Sequence, residues 1–158
     1  MPECACLSSR DLGAGGSGND TIYGGAGTDI VIASRDSDMV LTDSSLTVGD
    51  SEEDSLTGIE TAVLGGGAGD NTLDASSFTS GPVTLVSNGG QDTLLGTSLL
   101  DTYTIDVSNL TTGQKVDVDT GDTAAQDTVV ILGAGTINQG DLAWVNYLGT
   151  DDGETVFE

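Results

Sequence analysis

Residues 15–32 read GGSGNDTIY-GGAGTDIVI, two nonapeptides in tandem that each fit G-G-x-G-x-D-x-U-x, with U a large apolar residue. The parts of this pattern have separable physical jobs. Glycine lets the backbone turn through conformations closed to other residues. The aspartates, Asp20 and Asp29, offer hard oxygen ligands to a cation. The apolar residues after them, Ile22 and Val31, can point into a core. A glycine turn followed by a short apolar run, repeated at a fixed period, is the signature of a coiled β-architecture.

The period extends beyond the two clean copies. Asp11, Asp20, Asp29 and Asp38 recur every nine residues, although 33–41 (ASRDSDMVL) has lost the glycines and 6–14 keeps only Asp11. The phase then breaks over 42–65, where the acidic cluster Asp50, Glu52, Glu53 and Asp54 reads as a solvated loop between strand-like pieces at 44–48 and 59–64. The motif returns weakened at 66–74 (GGAGDNTLD), with Asn71 at the Asp position, and at 89–95 (GGQDTLL) around Asp92.

A second regularity runs through the same stretches. An acid or amide, then Thr, then an apolar residue occurs at Asp20-Thr21-Ile22, Asn71-Thr72-Leu73, Asp92-Thr93-Leu94, Asp101-Thr102-Tyr103, Asp127-Thr128-Val129 and Glu154-Thr155-Val156. Each opens a β-favouring run. Helical spacing is sustained nowhere, and glycine interrupts every candidate. The expected fold is all-β: a parallel β-roll or solenoid of short strands and Gly/Asp turns, irregular toward the C-terminus. The expected organisation is a disordered segment at 1–10, the nonapeptide roll at 11–41, an acidic spacer at 42–65 and degenerate repeats at 66–158. The last of these ends in GDLAWVNYLGTDDGETVF, two strands and a turn, with Trp144 covering a core end.

Composition narrows the function. The 158 residues carry 26 acids against three bases, Arg10, Arg35 and Lys115, for a net charge of −23. That surplus repels nucleic acid and anionic lipid and attracts cations. Hydrophobic content of 36% argues against full disorder, so folding is expected to depend on cations that neutralise the acids. The absence of His removes the commonest general base and His-containing zinc sites. Cys4 and Cys6 stand one residue apart, too close for an ordinary mutual disulfide. No apolar run approaches the ~20 residues of a membrane-spanning helix, so no membrane insertion is expected.

The tandem at 15–32 resembles the hemolysin-type (RTX) calcium-binding repeats of secreted bacterial proteins. The resemblance implies Ca2+ as cofactor, an extracellular or cell-surface location, and export by type I secretion. It also implies a non-catalytic role, with adhesion to an extracellular glycan or protein target as one form. The alternative is the C-terminal accessory domain of a type I-secreted hydrolase or polysaccharide lyase. In either case the chain looks like a segment of a longer protein with adjoining domains.

In that family's fold successive nonapeptides form opposite half-coils, so motif n stacks over motif n+2. Calcium needs roughly six to eight oxygens, which one turn cannot supply. The implied metal residues are Gly15, Gly16, Gly18, Asp20, Gly24, Gly25, Gly27, Asp29, Asp36, Asp38, Asn71 and Asp92. The stacking rule places Asp20 against Asp38 on one side of the roll and Asp29 against Asp11 on the other. The turns at 66–71 and 89–92 stand as separate, weaker sites.

Overall fold

A computed structural model describes residues 4–6, 12–13, 17–110, 116–121 and 126–133. The chain forms fourteen short strands among these residues. They are β1 (Cys4–Cys6), β2 (Leu12–Gly13), β3 (Thr21–Tyr23), β4 (Ile30–Ser34), β5 (Met39–Thr42), β6 (Ser45–Val48) and β7 (Glu52–Thr57). Then follow β8 (Thr61–Gly65), β9 (Thr72–Ser77), β10 (Val83–Ser87), β11 (Thr93–Leu95), β12 (Thr102–Asp106), β13 (Asp117–Asp119) and β14 (Thr128–Leu132). One 3-10 turn covers Val107–Asn109. The all-β roll read from the sequence is the observed fold.

The strands lie in two sheets. The larger has the order β1-β3-β7-β6-β5-β9-β11-β13, the smaller β14-β12-β10-β8-β4-β2. The chain alternates between them, so each neighbouring pair within the smaller sheet is parallel. Alternation is the mark of a coil, with a turn at each rim carrying the chain from one sheet to the other.

One departure breaks the coil. Between β4 and β8 the chain lays three strands in the larger sheet instead of one. β5 turns back antiparallel into β6, and β6 into β7. β7 then pairs with β3, while β5 pairs with β9. In the smaller sheet β8 sits directly between β4 and β10. The larger sheet is therefore longer by two strand spacings, roughly 10 Å.

The core lies between the sheets. Alternate residues face it, as in β9 with Leu73 and Ala75 and in β10 with Val83 and Leu85. The extra strands contribute Met39, Leu41 and Leu46, and one buried cluster runs from Ile22 to Tyr103. Phe78 and Ile59, in rim turns, are also buried and belong to that cluster.

Two expectations change here. The acidic cluster at 50–54 is not a solvated loop: Glu52 to Asp54 begin β7, and Asp54 is 4% exposed. Its backbone alternates between two strand neighbours, which turns every second residue inward. Cys4–Cys6, within the segment expected to be disordered, forms β1 and pairs with β3. Trp144, Glu154 and the two-strand reading of 140–157 lie outside the described residues.

Candidate metal-binding turns

Eight acids or amides occupy one structural position, the residue just before a strand. Asp20 precedes β3, Asp29 β4, Asp38 β5, Glu60 β8, Asn71 β9, Asp92 β11, Asp101 β12 and Asp127 β14. The acid-Thr-apolar tripeptide encodes this position locally, and Glu60-Thr61-Ala62 is a further instance of it that the sequence reading passed over. Threonine begins the strand and the apolar residue after it enters the core.

The coil stacks these positions into columns. The acid of one coil accepts the backbone N–H of the coil before it. Asp54 Oδ1 accepts from Asp20 N at 2.8 Å across 34 residues. Glu60 Oε2 accepts from Asp29 N at 2.8 Å. Asp92 Oδ1 accepts from Asn71 N at 2.9 Å across 21 residues, and Asp127 Oδ1 from Asp101 N at 2.7 Å across 26. The carbonyls answer in the other direction: Asp20 O accepts from Ser55 N, and Asn71 O from Thr93 N. The carboxylates thus satisfy amides at the corners, where the regular ladder begins.

The stacking partner of Asp20 is therefore Asp54, not Asp38. The motif-over-next-but-one rule assumes coils of constant length, and the inserted β5 and β6 break that assumption on this rim. On the opposite rim Leu12 pairs with Ile30 and Gly13 with Val31; Asp11, expected against Asp29, lies outside the described residues.

Asp38 goes elsewhere, and so does Asp36. Asp38 Oδ1 accepts from Thr72 N at 2.7 Å, and Asp36 Oδ1 from Gly69 N at 2.9 Å. The turn 35–38 therefore stacks on 66–71, which stacks in turn on 88–92. The close fit between the turns requires glycine: a Cβ on Gly67 would lie 2.2 Å from that of Asp36. At Gly90, where φ is +77°, a Cβ would lie 2.2 Å from Gly69 O. Asp36, Asp38, Asn71 and Asp92, assigned to separate sites by the sequence, belong to one stack.

Asp92 is the best-formed acid of that stack. It is 1% exposed, and its buried Oδ2 makes no hydrogen bond. The Ser87 hydroxyl lies beside it and favours the charged form, but without hydrogen-bond geometry. Burial pushes the Asp92 carboxyl above the usual carboxylate range, and the nearby charges of Asp70 and Asp36 push the same way. Burial likewise raises Asp54, with Asp20 and Glu52 adding repulsion. A buried carboxylate beside other carboxylates calls for a counter-charge, and Arg35 is the only basic side chain among the described residues.

The clean tandem sits at the other end of the roll. Gly25 and Gly27 turn at φ 95° and 129°, and Gly18 at 96°. Gly24 packs against Gly58, whose carbonyl O would lie 1.7 Å from an added Cβ. Gly15 and Gly16 lie outside the described residues. Asp20 and Asp29 sit on opposite rims, so the two clean motifs do not face each other.

These groups suit a hard cation. Among the described residues no three Cys, Asp or Glu side chains gather as an all-acid cage. An ion held here would take one or two carboxylates and complete its shell from carbonyl oxygens of the glycine turns, a mixture that fits calcium.

Residues 8–40 match the RTX calcium-binding nonapeptide repeat, in 4 copies. No curated protein and no solved structure matches the chain. That segment is similar to RTX repeats, and Ca2+ is the ion such repeats bind. Repeats of this kind occur in secreted bacterial proteins and are typically structural and non-catalytic.

Proposed function

We propose that this chain is a non-catalytic β-roll segment of a secreted or cell-surface bacterial protein, folded by extracellular calcium. The observation that carries the reading is the buried Asp92 Oδ2, which makes no hydrogen bond in a stack of glycine turns that also holds Asp36, Asp38 and Asn71. The acidic columns beside the matched repeat, Asp20 with Asp54 and Asp29 with Glu60, present the same problem of like charges close together.

The mechanism is linkage. With 26 acids and three bases the chain repels itself when calcium is scarce. Calcium between stacked turns converts carboxylate repulsion into coordination, and binding free energy becomes folding free energy. Low cytoplasmic calcium would leave the chain loose and exportable, and higher external calcium would fold it. An adhesive role toward a glycan or protein target belongs to this reading.

Circular dichroism and calorimetric titration test it. In EDTA the β signal and thermal transition should weaken. Calcium should restore both, and magnesium, which demands a stricter octahedron, should do so less well. If the transition is the same in EDTA and in calcium, calcium is not part of the fold.

A further inference from the structure

We infer that Asp43, at the far end of β5 from the metal-binding turns, is a positioning residue that fixes the turn 35–38 over the turn 66–71. The inference rests on the calcium reading above.

β5 joins its neighbour β9 irregularly. It belongs to the inserted strands, and its pairing with β9 is irregular: Met39 pairs with Leu73 and Val40 with Asp74, but Thr42 pairs with Ser77. A bulge of this kind interrupts the ladder locally, so the buried Met39 and Leu41 and the contacts at the two ends of the strand hold its register. A slip of β5 against β9 would carry Asp36 and Asp38 away from the turn they face.

Carboxylates pin β5 at both ends. At its start Asp38 Oδ1 accepts from Thr72 N, the first residue of β9. At its end Asp43 accepts four hydrogen bonds from the turn after β9. Asp43 Oδ1 takes Thr79 N at 2.6 Å, Ser80 N at 3.1 Å and Ser80 Oγ at 3.1 Å. Asp43 Oδ2 takes Thr79 Oγ1 at 2.7 Å. The contact spans 36 residues of sequence, so it joins two elements rather than closing a local turn. The Thr79 hydroxyl and N–H, with those of Ser80, hold the Asp43 carboxyl below the usual carboxylate range.

The hairpin does not need Asp43 for its own turn. Thr42 Oγ1 accepts from Ser44 N and Ser45 N and so closes the β5–β6 connection. Asp43 is left to face outward onto the neighbouring coil. With both ends of β5 fixed on β9, the bulge between them cannot change the register. The turn that leads into β5 is then held where Asp36 Oδ1 meets Gly69 N.

The test is calcium titration of the whole chain by calorimetry, with thermal unfolding alongside. Asp43→Ala should weaken calcium binding about five- to tenfold, or remove the ions of this stack from the stoichiometry. Asp43→Asn keeps one acceptor oxygen and should lose less. Thr79→Val removes a single bond from an exposed residue and should shift the calcium midpoint at least twofold, which covers the case in which Asp43→Ala does not fold. Asp106→Ala is the control: Asp106 accepts from Ser108 N and Oγ within its own turn, away from this stack, and its loss should leave calcium affinity unchanged.

The inference is overturned if Asp43→Ala lowers the melting temperature while calcium affinity stays within twofold of wild type. It is equally overturned if Asp106→Ala weakens calcium as much as Asp43→Ala does. A wild type that binds no calcium overturns the calcium reading itself, and with it this one. A wild type that binds calcium with unaffected Asp43 variants overturns only the role of Asp43.

Discussion

Asp20 lies against Asp54, its backbone N–H donating to the Asp54 carboxylate at 2.8 Å, and not against Asp38 eighteen residues on. The contact places β7 beside β3 and leaves β5 and β6 to widen the larger sheet.

Cross-linking checks this topology. Tyr23 and Thr57 are register partners on the outer face of the larger sheet. With Cys4→Ser and Cys6→Ser as background, Tyr23→Cys with Thr57→Cys should oxidise to an internal disulfide, because adjacent strands bring Cα atoms within bonding range. Tyr23→Cys with Leu41→Cys, the pair that a regular coil would align, should not.

The Asp54 carboxylate should matter more than its place in an acidic run suggests. Asp54→Ala leaves the buried Asp20 N–H without its acceptor, a loss of about 1–3 kcal/mol. Glu53→Ala, one residue away and exposed, should stay within about 0.5 kcal/mol. Denaturant unfolding in calcium compares the two, and equal effects would contradict the burial of Asp54.

Gly24 has no room for a side chain, since a Cβ would lie 1.7 Å from Gly58 O. Gly24→Ala should therefore force β3 and β7 apart at their C-terminal ends and cost about 2 kcal/mol or more. Gly18→Ala meets nothing within 4 Å, although φ of +96° still strains it, and should cost less. Thermal melts rank the two, and a reversed order would be inconsistent with the packing.

Leu94 is fully buried between the sheets in β11. Leu94→Ala should lose about 2–5 kcal/mol from transfer and cavity terms together. If calcium binding and folding are linked, the variant should also need more calcium to reach half-folding.

Acid should act on Asp43 with a definite sign. Its hydrogen bonds to Thr79 and Ser80 lower the folded-state pKa below the ordinary value of 3.8, so its contribution to stability is present above 3.8 and is lost as pH falls through the lower folded value. Wild type and Asp43→Asn, compared in calcium-saturated buffer, should therefore differ most above 3.8 and converge in stronger acid. A difference that grows on acidification would contradict the hydrogen-bonded role of Asp43.

Much of this was legible in the chain. Thr21, Thr72, Thr93, Thr102 and Thr128 each begin a strand, as the acid-Thr-apolar tripeptide implies, because β-branching and a buried neighbour act over two or three residues. The same signal stands at Glu60-Thr61-Ala62, where Thr61 begins β8. Asn71 and Asp92 were readable as candidate ligands, but not as members of one stack with Asp36 and Asp38. That grouping depends on which coils are neighbours.

Sequence alone determined the local chemistry: glycine where the backbone must turn tightly, an acid or amide before eight of the described strands, apolar residues within them, and a charge balance that needs cations. Tertiary structure decided the partners. Period predicts stacking only while every coil spends one strand in each sheet. Here three strands between β4 and β8 share one sheet, so Asp20 meets Asp54, Asp38 meets Thr72, and Asp43 reaches Thr79. Pairing over 30 or more residues is set by how the whole core closes, which no nine-residue pattern contains.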